Sequence, residues 1–161
     1  MTETTGLWID EHGYFRHDRG RLIPVGVNYW PGSCGVEMWV RWPADEMRRD
    51  LDLVRTLGLN SVRFFLRSQD FEPERGRYER LAFQRLSQFL TWCAEWELWA
   101  QPSLFVGWMS GGVFWPPWKG EGNLFADPMM VAWRSSSTTR RCWRTMRSDC
   151  RSCWQTAWVG G

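Results

Sequence analysis

The residues best suited to chemistry in this chain are indoles on a loop. At residues 99–118, WAQPSLFVGWMSGGVFWPPW, a short apolar strand runs into Trp108, Trp115 and Trp118, spaced among Gly107, Gly111, Gly112, Pro116 and Pro117. Glycine and proline set backbone shape rather than fill a core, so these rings are expected near the surface. Flat apolar rings there suit the faces of pyranose units. The competing reading is packing, since a chain with 14 Trp buries some of them wherever they fall. Two loop acids, Asp70 and Glu72, could hydrogen-bond sugar hydroxyls; acids in such loops are more often solvated or act as caps, and the two are not read as a catalytic pair.

A length of 161 residues with 43% hydrophobic and 24% charged side chains is that of one soluble globular domain. No run reaches membrane-spanning length, and the opening MTETTGLWIDEHG lacks the basic and apolar regions of a secretory signal. No membrane partner is therefore expected, and the cytoplasm is the default location. The five cysteines are odd in number and follow no disulfide spacing. Cys142, Cys150 and Cys153 fall short of the four ligands of a structural zinc site, so no metal or cofactor is expected.

The net charge of +2 hides a division: residues 1–133 carry 14 basic and 17 acidic side chains, and residues 134–161 carry 6 and 1. The latter stretch contains no Leu, Ile or Phe and follows neither a helical nor a strand period. It reads as a separate basic, irregular tail, either disordered or the product of a shifted reading frame. Arg, Trp, Cys, Ser and Thr are what GC-rich DNA tends to give out of frame, and a chain with 19 Arg and one Lys fits such DNA. Its Trp residues between Arg residues also resemble the stacking and phosphate contacts of nucleic-acid binders, although nucleic acid is not the expected partner.

The elements that must position the indoles follow from periodicity. Residues 7–15 read as a hairpin with its turn near 11–13, and residues 21–30, RLIPVGVNYW, as a first central strand. Residues 43–46 open a helix in which Met47, Leu51, Val54 and Leu57 recur at helical spacing until Gly58 stops it. A second strand is expected at 60–66. A second helix over 81–97 places Leu86, Phe89, Leu90, Cys93 and Ala94 on one stripe, with Cys93 a core thiol. A third strand spans 99–105. This alternation predicts parallel strands with helices packed outside, and loops after the carboxyl ends of the strands, at 28–42, 67–77 and 106–127, that build the site. Those loops hold Tyr29, Trp30, Trp39 and Trp42, then Asp70, Phe71 and Glu72, then the indole cluster.

The motifs GVNYWP at 26–31, DLDLVRTLGLNSVRFFL at 50–66 and QPSLFVGWMSG at 101–111 resemble glycoside hydrolase family 5. The resemblance covers residues 6–133 and implies an α/β fold, the first three βα units of a partial (β/α)8 TIM barrel. Members are β-glycanases such as cellulases and β-mannanases, so an oligo- or polysaccharide is the implied substrate, cleaved with retention by two glutamates. One of these follows the fourth strand within an Asn-Glu pair, and the other follows the seventh. Here Asn28, Asn60 and Asn123 are followed by Tyr, Ser and Leu, so neither glutamate is carried over. The chain is expected to stop short of both and to be inactive by itself, with a non-catalytic carbohydrate-binding fragment as the alternative.

Arg63 matches the family arginine that hydrogen-bonds near the nucleophile and keeps it ionised; by itself it also reads as a strand-end ion pair. Substrate contacts are implied at Asn28, Trp30, Trp108, Trp115 and Trp118. Three strands leave an open edge and an unfilled interior, from which poor solubility or low stability is expected.

Overall fold

The computed structural model describes residues 8–17, 20–104, 108–109 and 112–118, so the tail expected at 134–161 lies outside the described residues. Strands β1 (Trp8–Ile9), β2 (Phe15–His17) and β3 (Gly20–Arg21) form an antiparallel sheet in that order. Asp10 organises its first turn. The Asp10 carboxylate accepts from the amides of His12 and Tyr14, each at 3.0 Å, and from Arg16 Nε at 2.8 Å. Gly13, at φ 81°, supplies the left-handed step that closes the turn. The hairpin stands where the sequence predicts it and gains a third strand.

In chain order there follow β4 (Gly26–Asn28), the single-turn helix α1 (Met38–Arg41), α2 (Ala44–Thr56), β5 (Ser61–Leu66), the short α3 (Ser68–Phe71), α4 (Arg80–Glu95) and β6 (Trp99–Leu104). A small antiparallel hairpin, β7 (Trp108–Met109) and β8 (Gly112–Val113), comes after them. Strands β4, β5 and β6 are parallel and adjacent, with α2 and α4 as their crossovers. This is the succession expected of a partial (β/α)8 barrel: the second and third strands fall within a residue of their predicted spans, and α4 within two.

The first strand is much shorter than predicted. Of residues 21–30, Arg21 pairs with the antiparallel sheet and only Gly26–Asn28 joins the parallel one. Pro24 has no N–H to donate, so the approach to β4 cannot run as a regular ladder. Asn60 replaces that ladder. Its side chain accepts from Val25 N and donates to Ile23 O, both at 2.8 Å, while its own amide donates to Val25 O and its carbonyl accepts from Trp99 N. One residue thereby joins the starts of three strands. Beside it, β4 passes so close to β5 that a Cβ on Gly26 would run into the carbonyl oxygen and hydroxyl of Ser61.

Along β5, Val62, Phe64 and Leu66 are wholly buried toward the helices, and Arg63 and Phe65 alternate with them on the opposite face. The core built on that buried face is aromatic. Trp39 sits at its centre, with ring centroids 5.9 Å from Phe64, 5.5 Å from Phe71 and 6.0 Å from Phe89. The Trp39 indole donates to Phe65 O at 2.7 Å, which satisfies its polar edge. Tyr29 stacks on Phe89 and donates its hydroxyl to Asp50 at 2.9 Å. Burial, with Asp50 beside it, holds the Tyr29 phenol far above its ordinary value. Tyr29 and Trp39, predicted among the loop residues of a site, therefore belong to the core.

Two helix faces also differ from the expected stripes. Leu57 is 67% exposed, because it caps α2 and the chain turns away at Gly58, φ 78°. On α4, Ala94 is exposed while Trp92 is buried. Trp42 stacks on Trp92 at 5.3 Å and covers that edge of the helix, which displaces the buried arc away from Ala94. Arg48 completes the cover, with its guanidinium 5.4 Å and 5.3 Å from the rings of Trp92 and Trp96. Cys93 is a fully buried core thiol, as its helical position predicts.

The Gly26→Ala substitution is expected to cost about 3 kcal/mol, because β4 and β5 must separate to admit the methyl group. Asn60→Ala is expected to cost about 1 kcal/mol through its lost hydrogen bonds. Urea unfolding midpoints check both; a Gly26→Ala chain as stable as the parent contradicts the packing described here.

Candidate functional site

Parallel strands bring their carboxyl ends to one edge, and loops gather there. Three polar side chains of that edge are joined. Arg63, on the open face of β5, donates from Nε to Ser103 Oγ of β6 at 2.8 Å and from Nη1 to Asn28 Oδ1 of β4 at 3.4 Å. Its guanidinium lies 4.9 Å from the centre of the Phe65 ring, two residues on along the same face. Trp30, just beyond β4, packs on the same Phe65, with its ring 5.4 Å away at 48°. Asn28, Trp30 and Arg63, each expected at the site, are thus brought together through Phe65 and Ser103.

The environment of Arg63 is chemically particular. Both of its hydrogen-bond acceptors are neutral, and among the described residues no carboxylate forms an ion pair with it, so the strand-end ion pair is not found there. A guanidinium fixed by neutral groups keeps its full charge for a further partner. An anionic carboxylate at this edge would gain both charge stabilisation and a defined orientation from it.

The loop after β5 is built around a buried ion pair. Arg67 donates from Nε and Nη2 to the two oxygens of Asp70, each at 2.8 Å, with both side chains almost completely covered. Burial pushes the Asp70 carboxyl above its ordinary value, and the Arg67 fork opposes that rise. Glu72, 3% exposed, accepts from Gly76 N at 2.8 Å and so closes the following turn. The reading of these acids as solvated is thus overturned for both, while the capping reading describes Glu72. Neither is free to act with the other as proton donor and nucleophile.

The loop after β6 rests on this platform. Phe114 lies 5.3 Å from the Arg67 guanidinium, and Trp118 Nε1 donates to Glu72 O at 3.1 Å. Trp115 is half-buried between these two anchors, with no ring or hydrogen-bond partner among the described residues. Trp108 pairs through its backbone with Val113 in the β7–β8 hairpin. The structure therefore ties Trp118 to the loop after β5.

Sequence reasoning missed Ser103, Phe65 and the Arg67–Asp70 pair. Signals for them exist. Ser103 shares the parity of Gln101 on a strand whose other positions are apolar, Phe65 lies two residues beyond Arg63, and Arg67 and Asp70 stand at the three-residue spacing of neighbours on a helix turn. At the opposite ends of the strands a cavity of about 420 Å³ lies beneath the antiparallel sheet, lined by His17, Arg21, Asn60 and Trp99 among others. It faces away from the edge where the loops gather.

No family model matches the sequence, and a comparison with curated proteins gives no match. Solved structures do match. An exo-β-1,4-mannosidase from Opitutaceae bacterium strain TAV5 is 52% identical over 91% of this chain and 26% of its own, with a TM-score of 0.84. A GH5_18 protein from Streptomyces cattleya in complex with GlcNAc is 28% identical over 81% of this chain and 32% of its own, with a TM-score of 0.73. A GH5_18 variant from Bifidobacterium longum subsp. longum, in complex with Manβ1-4GlcNAc, is 26% identical over 80% of this chain and 30% of its own, at 0.66. The chain thus spans between a quarter and a third of the length of the structures it matches. Motifs, strand order and these likenesses agree that the chain belongs to glycoside hydrolase family 5 and carries the N-terminal part of its barrel.

Proposed function

We propose that this chain is the part of a retaining β-mannoside hydrolase that holds a sugar unit and steers the charge of the nucleophile, and that its 161 residues alone do not cleave. The observation that carries this reading is Arg63, held at the strand ends by Asn28 and Ser103 with no carboxylate partner among the described residues. A guanidinium so placed favours the ionised form of a carboxylate brought beside it, as a glycosyl nucleophile requires. The choice of a β-mannoside is supported by the mannosidase and by the Manβ1-4GlcNAc complex among the matching structures.

The aromatic groups supply the rest of the reading. Trp30, braced by Phe65, and Trp115, without a ring partner of its own among the described residues, offer apolar faces to a pyranose. Trp118, anchored through its N–H on the Glu72 carbonyl, and Trp108 are included on their motif positions. Retention needs a donor and a nucleophile roughly 5 Å apart. Asp70 and Glu72 are already engaged, and no Asn-Glu pair occurs in the sequence, so binding without cleavage is the expected behaviour.

Purified chain is expected to leave aryl β-mannosides, mannan and carboxymethylcellulose intact. Turnover that survives removal of contaminating glycanases would overturn the non-cleaving assignment. Titration with β-1,4-linked manno-oligosaccharides is expected to give a saturable change in tryptophan fluorescence. Trp30→Ala should weaken it about tenfold, or ~1.4 kcal/mol, and Trp96→Ala, at the cap that ends α4, should leave it unchanged. Absence of any saturable change would remove the sugar-binding assignment.

A further inference from the structure

The Arg67–Asp70 pair is expensive to bury, and nothing in the proposed chemistry of Arg63 uses it. Taking two charges from water costs several kcal/mol each unless geometry and hydrogen bonds repay it. Here the fork is fully matched: two guanidinium donors meet two carboxylate oxygens, each at 2.8 Å. The matched edge leaves the flat face of the guanidinium available, and Phe114 from the following loop lies over it at 5.3 Å. A lysine could not offer that face, since an ammonium is a compact charge without a plane.

A second anchor lies four residues on. Trp118 donates its indole N–H to the Glu72 carbonyl, and Glu72 is itself fixed by the bond from Gly76 N and by burial. Phe71, between the two acids, is wholly buried and packs edge-on against Trp39 and Phe83. The loop after β5 is therefore pinned to the core and can serve as a fixed support. Trp115 lies between the two anchored positions, preceded by Phe114 and followed by Pro116 and Pro117, whose rings restrict the backbone further.

We infer that Arg67, held flat by Asp70, and the Glu72 carbonyl are positioning groups that clamp Phe114 and Trp118 and so present Trp115, ready-placed, to the saccharide. Rigid placement of the ring spares the ordering cost that a mobile loop would pay on binding. Trp115's contact with sugar rests on the function proposed above; the clamping of its loop does not.

Hydrogen exchange of the whole chain tests the clamp without any ligand. In Arg67→Lys the amides of residues 112–115 and 118 are expected to exchange about tenfold faster, with those of α4 unchanged. Phe114→Leu should do the same, whereas Phe114→Tyr, which keeps a ring over the guanidinium, should retain the parental protection. A Phe114→Leu loop as protected as the parent, or protection lost equally from α4 in that variant, would overturn the clamp. Manno-oligosaccharide titration then separates the two proposals. Clamp variants that lose local protection and bind more weakly support both, whereas a parent chain that is clamped yet binds no sugar removes the saccharide reading alone.

Discussion

The position of every polar group at the candidate site depends on the two-residue alternation of one strand. Strand β5 is bonded on both sides, and its Val62, Phe64 and Leu66 are driven against α2, α4 and the Trp39 cluster by the removal of apolar surface from water. Because the period is two, Arg63 and Phe65 must then face the other way. The register with β4 and β6 sets Asn28 opposite Arg63 and Ser103 opposite Phe65. A slip of one residue would put the guanidinium into the core. The tight passage of Gly26 past Ser61 and the bridging by Asn60 are what fix that register at its starting end.

The same economy appears in the loops. The loops after β4 and β5 each send a large ring into the core, and the loop after β4 leaves a second one near the edge. After β4 the core ring is Trp39 and the edge ring Trp30; after β5 the core ring is Phe71, beside the ion pair that supports the next loop. Rigidity at the strand ends therefore comes from core packing carried upward, and the site requires few polar groups of its own. What remains polar there is either matched, as in Arg67 with Asp70, or held by neutral acceptors, as in Arg63.

Elements with a strong period were legible in the sequence: β5, β6 and α4 are long enough for alternation or a helical stripe to speak clearly. Strand β4 was not, because Pro24 interrupts an apolar run that otherwise reads as a single strand, and the Asn60 side chain substitutes for backbone bonds that no pattern reveals. Residue type alone could not separate Trp30 from Trp39 or Tyr29, since all are aromatic residues following one strand; only the packing partners Phe65, Phe64 and Phe89 tell them apart. Arg63 was found by motif, yet its partner Ser103 lies 40 residues away and is visible only once β6 lies beside β5.

Arginine's near monopoly over lysine, which at first sight records only the base composition of a gene, has a use in this fold. Among the described residues, guanidinium groups lie over aromatic rings in five places: Arg21 on Tyr14, Arg48 between Trp92 and Trp96, Arg63 on Phe65, Arg67 on Phe114 and Arg85 beside Trp42. A weakly hydrated planar cation can roof an indole while still meeting solvent at its rim. A polypeptide so heavy in tryptophan thereby gains a charged coat for rings that aliphatic neighbours would leave adhesive. Wholesale exchange of its arginines for lysines, which keeps the charge and loses the plane, would strip away that coat.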